Sequence, residues 1–383
     1  MKSKDGTFRV ASFSDVHTGH HNTPTPEILD DLRVAFPGDA ETAKLDLITI
    51  PGDFFDRLLT LTDPNVFYIK AWVNSFLRMA KRLKIVVIVL KGTPSHDWDQ
   101  SQVFVSENIN AQIGCELYYV DKLDILTVES LDATFLCVPD EWLPEPDDTW
   151  NEVTQLMQRS GLDMVDFALM HGTFPHQLPG HIKTPRHNPE RYLSIVRYFI
   201  FVGHIHKHSV WDRIISQGSF SRLCHNEEEA KGHVLVNIKE NGENEIIFVE
   251  NKGARIYKTI DCRGLSAEEV LHLMAVTVPQ YPEGSFIRIR ANPGDPALAA
   301  LKVLQTTYFG YNWSTPKVDS NTTATAKEIQ QALTTKFQAI SITPENIVGL
   351  VMDKIKQKSK NLVLIDHCQL LLEGVIQNDA RRT

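Results

Sequence analysis

No run of apolar residues in this 383-residue chain reaches the roughly 20 residues that a membrane-spanning helix needs. A helical membrane protein is excluded, and the length suits a globule with a sizeable core. The opening stretch, Met1 to Thr7, lacks the apolar segment of a secretory signal, so the expected address is cytoplasmic. Cysteine is scarce: Cys115, Cys137, Cys224, Cys262 and Cys368 are odd in number and show no paired short spacing. That argues against a disulfide framework and against a thiolate zinc site, and the thiols are expected to be reduced and mostly buried. Internal repeats and extended low-complexity tracts are missing too. Positive charge is in deficit, with a net charge of -9 that is unevenly spread. Residues 255–383 hold 15 Lys+Arg against 12 Asp+Glu, whereas residues 1–254 hold 24 against 36. An acidic balance does not exclude a nucleic-acid substrate, because bound cations and local basic patches decide what a phosphodiester meets.

What is present is an alternation of short β-branched runs with helical patterns over the first two-thirds. Phe8 to Phe13 leads into Ser14-Asp15-Val16-His17, and Leu45 to Ile50 into Pro51-Gly52-Asp53. Ile85 to Leu90 leads into Lys91-Gly92, Val165 to Met170 into His171-Gly172, and Tyr198 to Val202 into Gly203-His204. Ends of strands in open α/β sheets are where ligands sit. Helices are expected over Asn65 to Lys84 and Trp150 to Ser160, which makes the fold class α/β with sheets packed inside. A hairpin is expected around Asn241-Gly242. The capping box Ser266-Ala267-Glu268-Glu269 opens a new helix after a boundary near 255. A strand over Phe286 to Arg290, a helix over Pro296 to Gln305 and a strand over Tyr308 to Trp313 complete a small α/β module. The expected division is 1–255, 256–318, and 319–383 as a polar linker and C-terminal helices, one opening at Thr343-Pro344-Glu345.

Hydrolysing a phosphodiester requires an activated water, neutralised phosphoryl oxygens and a proton for the leaving oxygen, and two divalent metals supply the first two. Such a pair wants a mixture of carboxylates and neutral imidazoles. Asp15, His17, Asp53, His171, His204 and His206 offer that mixture. Alternation along a strand end is expected to project Asp15 and His17 to one side, and His204 and His206 likewise.

In order along the chain stand Asp15-x-His17, Gly52-Asp53-x-x-Asp56-Arg57, Ser95-His96-Asp97, His171-Gly172 and Gly203-His204-x-His206. This string resembles the calcineurin-like metallophosphoesterase family over about residues 8–250. Within that family it is most similar to the SbcD-type nuclease subunits of double-strand-break repair. Asp15-Val16-His17-Thr18-Gly19, Gln217-Gly218-Ser219-Phe220-Ser221-Arg222 and the small module that follows carry that narrower likeness. The resemblance implies a two-sheet sandwich flanked by helices, with a small α/β capping domain and C-terminal helices. It implies one metal on Asp15, His17 and His206, a second on His171 and His204, and Asp53 bridging them. His96 would protonate the leaving oxygen, Asp56 would orient its imidazole, and Arg57 would meet a phosphate oxygen. The implied cofactors are two divalent ions, manganese first and magnesium as the alternative. The implied partners are DNA, an SbcC-like ATPase docked by the C-terminal helices, and a second copy of the chain.

One departure stands out. Where the family has an asparagine that holds the second metal, Gly92-Thr93-Pro94-Ser95-His96 carries two extra residues and a serine beside the histidine. A hydroxyl is a poorer ligand for a hard metal than an amide carbonyl, so Thr93 or Ser95 substitutes weakly, or water does, and the second metal is held loosely. Arg288 and Arg290 share a strand face and are candidates for phosphate contact, with structural ion pairing as the plain alternative. The Lys354, Lys356, Lys358 and Lys360 cluster suits either a DNA backbone or a solvated helix end. His20, His21 and His208 adjoin ligand positions but are expected to be solvated or packed, and His176, His181 and His187 are placed in a Pro-rich surface loop. The functional expectation is a metal-dependent DNA nuclease subunit. A phosphatase of the same family and a binding scaffold with weakened catalysis are the alternatives.

Overall fold

The computed structural model describes residues 1–315 apart from 141, 142 and 144, together with 348, 349, 351, 352, 355, 369 and 371. The chain divides into two units, Met1–Pro316 and Lys317–Thr383. The strands of the first half are β1 (Thr7–Ser12), β2 (Leu47–Pro51), β3 (Val86–Leu90), β4 (Leu117–Val120), β5 (Asp124–Val128), β6 (Ala133–Val138) and β7 (Val165–His171). Those that follow are β8 (Val196–Gly203), β9 (Ser209–Trp211), β10 (Ile214–Ser216), β11 (Gly232–Lys239), β12 (Asn244–Glu250), β13 (Tyr257–Asp261), β14 (Phe286–Arg290) and β15 (Asn312–Ser314).

Two mixed six-stranded sheets pack face to face, ordered β12-β11-β1-β2-β3-β4 and β5-β6-β7-β8-β10-β9. Phe8, Val10, Leu47 and Ile88 from the first sheet meet Phe135, Phe167 and Phe201 from the second in one buried core. The opposite faces are covered by helices. Pro64–Leu83 lays Ile69, Trp72, Phe76 and Leu77 on the first sheet, against Phe13 and Val89. Pro146–Ser160 lays Val153 and Met157 on the second. Because β2, β3 and β7 are buried on both faces, they read as continuous apolar runs rather than alternating ones.

A third, all-parallel sheet, β13-β14-β15, has its own core of Ile260, Ile287, Ile289, Val270 and Leu304, and it lies within the first unit. Its helix Ala267–Thr277 opens on the expected box, with Ser266 and Glu269 bonding each other's backbone N–H. Such a cap contributes about 1 kcal/mol. The Asn241-Gly242 hairpin joins β11 to β12 as expected.

Three boundaries differ from expectation. The helix expected from Trp150 starts at Pro146, where proline suits a first helical turn and Asp147 and Asp148 suit its positive end. The helix expected from Pro296 begins as a 3-10 turn, Pro296–Ala300, and becomes α-helical over Leu301–Thr307. The strand expected from Tyr308 forms only at Asn312, because Tyr308 N–H still caps the helix on Leu304 O and Tyr311 N–H closes a turn on Tyr308 O. Lys354 and nearly all of the expected linker and C-terminal helices lie outside the described residues.

Candidate metal centre

The loops after β1, β2, β3, β7 and β8 meet at one end of the sandwich. The backbones come close enough that side chains are excluded: a Cβ on Gly203 would stand 2.1 Å from Pro51 O, and one on Gly92 would stand 2.2 Å from Asp53 N. Asp97, fully buried, ties two of these loops together by accepting from the N–H groups of Asp53 (3.1 Å), Phe55 (3.0 Å) and Gly92 (2.7 Å). Burial and the neighbouring Asp53 push the Asp97 carboxyl up to about 6, against the pull of those donors.

Asp15, His17 and His206 form one donor set, and Asp53, His171 and His204 a second; within each, the ligand atoms lie within 4.8 Å of one another. Alternation does not produce this convergence. β1 ends at Ser12, and Asp15 (φ 51°), His17 (φ 53°) and Asp53 (φ 51°) adopt left-handed backbone, as does His204 (φ 97°). Each such residue costs on the order of 1–3 kcal/mol, which the surrounding bonds must offset. Gly52 O accepts from Asp15 N, and Asp53 O accepts from Val16 N and His17 N. His204 and His206, expected on one side, join different sets. The sets adjoin all the same, because the Asp15 carboxylate accepts from His204 N at 2.9 Å.

The chemistry of the donors fits divalent cations. The Glu227 carboxylate lies 2.9 Å from His206 Nδ1 and fixes the proton there, leaving a lone pair on Nε2. Asp56 Oδ1 stands 3.3 Å from His17 Nδ1, close enough to attract a proton to it although not aligned as a hydrogen bond. The two Nε2 atoms then face each other at 3.0 Å, an arrangement that calls for a shared positive charge. In the second set His171 Nδ1 donates to Pro51 O at 2.8 Å, so its Nε2 faces Asp53 Oδ2 at 3.2 Å. Burial disfavours a charge on His171, but Asp53 outweighs it and raises the imidazole to about 10. Burial likewise opposes ionisation of Asp53, yet the facing His171, with His17 and His96, holds it well below the ordinary carboxylate range. That mutual attraction marks a place where positive charge is stabilised. Burial and the nearby His171 keep His204 low, suited to neutral-ligand duty.

Of the substitutes for the missing asparagine, the structure brings Thr93 to the second set. Its hydroxyl lies 3.1 Å from Asp53 Oδ2, 3.2 Å from His171 Nε2 and 3.5 Å from His204 Nδ1, and its N–H donates to Asp53 Oδ1 at 2.6 Å. Ser95 is exposed, and its carbonyl accepts from the Trp98 indole. The His96 ring meets the His17 ring edge-on at 5.0 Å. Its Nδ1 donates to the main-chain oxygen of Asp56 at 2.6 Å, while the Asp56 carboxylate serves His17 instead. The contact to His96 expected of the Asp56 carboxylate is thus made by its carbonyl, although the carboxylate also lies within 4.8 Å of a His96 ring nitrogen. Arg57 is occupied structurally, donating to Gly19 O and to Asp63. Arg288 Nε donates to Thr259 Oγ1, and Arg290 is exposed on the same strand face.

Sequence reasoning overlooked Glu227 and Lys231. Lys231 is buried, donates to His206 O at 2.7 Å, and lies 3.4 Å from Glu227 Oε2. Burial opposes the Glu227 charge, but His206 and Lys231 hold the carboxyl down at about 2. Glu227 opens the acidic run Glu227-Glu228-Glu229, and no spacing marks it out. Among the cysteines, Cys115, Cys137 and Cys262 are buried free thiols and Cys224 is half-buried. His208 bonds Ser216 O and stacks on Phe248, and the half-buried His187 packs against Phe174 and Tyr192.

A sandwich with two adjoining histidine and carboxylate sets at its strand ends defines a metal-binding hydrolytic site. The family model for calcineurin-like phosphoesterase matches residues 8–208, more than half of the chain. The chain belongs to this family and is a metal-dependent phosphoester hydrolase. No curated protein matches it. One solved structure, 11% identical with a TM-score of 0.40, matches over 100% of its own length and 63% of this chain. Another, a crystal structure of the protein TT1561 of Thermus thermophilus, is 12% identical with a TM-score of 0.39, and matches over 100% of its length and 64% of this chain. Among the described residues no helix is long and apolar enough to cross a membrane.

Proposed function

We propose that the chain is a DNA nuclease subunit that hydrolyses phosphodiester bonds, with manganese as its metal. The observation that carries the reading is the adjoining pair of donor sets with the His96 ring 5.0 Å from His17. When bound, the metals would activate water and neutralise the phosphoryl oxygens. Asp15, His17 and His206 would hold one, His171 and His204 the other, with Asp53 between them and Thr93 as a weak ligand of the second. Mixed imidazole and carboxylate donors suit manganese better than a thiolate-loving metal. His96, its Nδ1 proton held on Asp56 O, is left with Nε2 as the nitrogen that exchanges a proton with the leaving oxygen. Arg288 and Arg290 on β14 supply cationic side chains for the DNA backbone. The sequence between 319 and 383 supports docking on an SbcC-like ATPase through the stripes Ile347, Leu350, Val351, Ile355 and Leu364, Cys368, Leu371. A homodimer is the proposed assembly.

The test incubates the purified chain and manganese with linear duplex DNA, single-stranded DNA and p-nitrophenyl phosphate. DNA cleavage with little monoester hydrolysis is expected. Monoester turnover with intact DNA would replace this reading by a phosphatase, and silence on all three would leave a binding role.

A further inference from the structure

The segment from Arg222 to Lys231 connects the first donor set to the three-stranded sheet. At its centre, Glu227 accepts from His206 Nδ1 at 2.9 Å, from Ser219 Oγ at 3.3 Å and from Leu223 N–H at 3.2 Å. Lys231, behind it, holds the main chain of the same histidine. Within two residues of Glu227 on either side, the segment is fastened to the three-stranded sheet, and every strand of that sheet takes part. From β13, Thr259 N–H donates to Glu228 Oε1 at 2.7 Å, and Lys258 pairs with Glu228 Oε2 at 3.3 Å. From β14, Arg288 reaches Asn226 Oδ1 at 3.5 Å. From β15, Ser314 Oγ lies 3.2 Å from His225 Nε2, while the His225 ring packs edge-on against Tyr257 at 5.0 Å. Arg222 adds bonds to Ala254 O and Arg255 O, where the chain enters the sheet.

We propose that Glu227 is the positioning residue that presents His206 to the first metal, and that the three-stranded sheet holds Glu227 in place through this segment. A carboxylate behind a ligating imidazole fixes which nitrogen is free and turns the ring toward the metal, and its loss commonly weakens metal affinity by about 10–100-fold. Glu227 is fastened to His206 on one side and, through its neighbours, to β13, β14 and β15 on the other. The grip of Asp15, His17 and His206 therefore depends on a sheet that supplies no ligand. The inference rests on the metal assignment above.

The experiment titrates manganese into the full chain and reads free ion by electron paramagnetic resonance. His206→Ala identifies which binding class belongs to the first set. Glu227→Gln is expected to weaken that class by about 10–100-fold and to leave the other class unchanged. Glu228→Ala, which keeps Glu227 but cuts the tie to β13, is expected to weaken the same class by a smaller factor. Wild-type affinity in both classes for Glu227→Gln would overturn the proposal, as would equal weakening of both classes, which a general loss of packing would produce. Should Glu227→Gln fail to fold, the double variant Glu227→Gln/Lys231→Met removes both buried charges at similar size and is read by the same criteria. A wild-type chain that binds no manganese would overturn the metal assignment and this proposal together, whereas wild-type binding with a silent Glu227→Gln overturns this proposal alone.

Discussion

The two donor sets are built from the same residue types but supported differently. Behind the first stand carboxylates, Glu227 on His206 and Asp56 beside His17. Behind the second stand a main-chain carbonyl, Pro51 O on His171, and the Asp97 clamp that fixes the Asp53 backbone. A carboxylate makes an imidazole more basic and a better ligand than a neutral carbonyl does. The first set is thus built for affinity and the second for position, and Thr93 supplies the second with a hydroxyl where an amide oxygen would bind a hard cation more strongly.

The change expected to erase the contrast is Asp53→Ala. It removes the carboxylate facing His171 and should slow phosphoester hydrolysis on the order of 10,000-fold, as loss of a central catalytic group does. Bound manganese, measured by elemental analysis, should fall as well, and unchanged metal content would break the ligand map. His96→Asn comes next. Turnover should drop by about 100- to 10,000-fold with metal content intact, and a variant that cleaves at the wild-type rate would remove His96 from the chemistry. Thr93→Asn sharpens the comparison, since it offers an amide oxygen to the second set. Manganese affinity there should rise in a titration that leaves the first set alone, and an unchanged isotherm would show that the hydroxyl is not what limits binding.

The smallest expected effect concerns pH and involves histidines that belong to neither set. Burial holds His187 and His233 down at about 4, against an ordinary value of 6.5. Each is a base kept neutral in the fold and protonated more readily once unfolded. Its contribution to stability is full above pH 6.5 and is lost as pH falls toward 4. Urea midpoints at pH 7 and pH 4.5 should therefore diverge, and His233→Gln should narrow the gap. A gap unchanged by that substitution would assign the acid sensitivity elsewhere.

The fold was legible wherever burial on both faces left continuous apolar runs, as in β2, β3 and β7, and wherever a cap announced a helix, as at Ser266. Strand alternation is not what gathers the ligands. Asp15 and His17 come together through left-handed turns beyond the end of β1, and His204 and His206 part company for the same reason. Residue spacing carries no record of a positive φ at a non-glycine position. At Asp56 the carbonyl meets His96 and the carboxylate meets His17, a division between main chain and side chain that residue order does not carry. Glu227 left no trace, because its partner lies 21 residues earlier and the contact depends on how the segment after β10 folds back.

By itself the order of residues determined which chemistry this chain can carry: imidazoles and carboxylates placed where apolar strands stop, with glycines beside them where the backbones must nearly touch. Periodicity and residue type are local properties and survive in the linear chain. Only the tertiary structure decided which histidine joins which set, that Thr93 rather than Ser95 comes to the second, and that a sheet without ligands is fastened to His206. Those outcomes depend on a few ångströms of approach between segments far apart in sequence, and hydrogen bonds and charge interactions act over just that range.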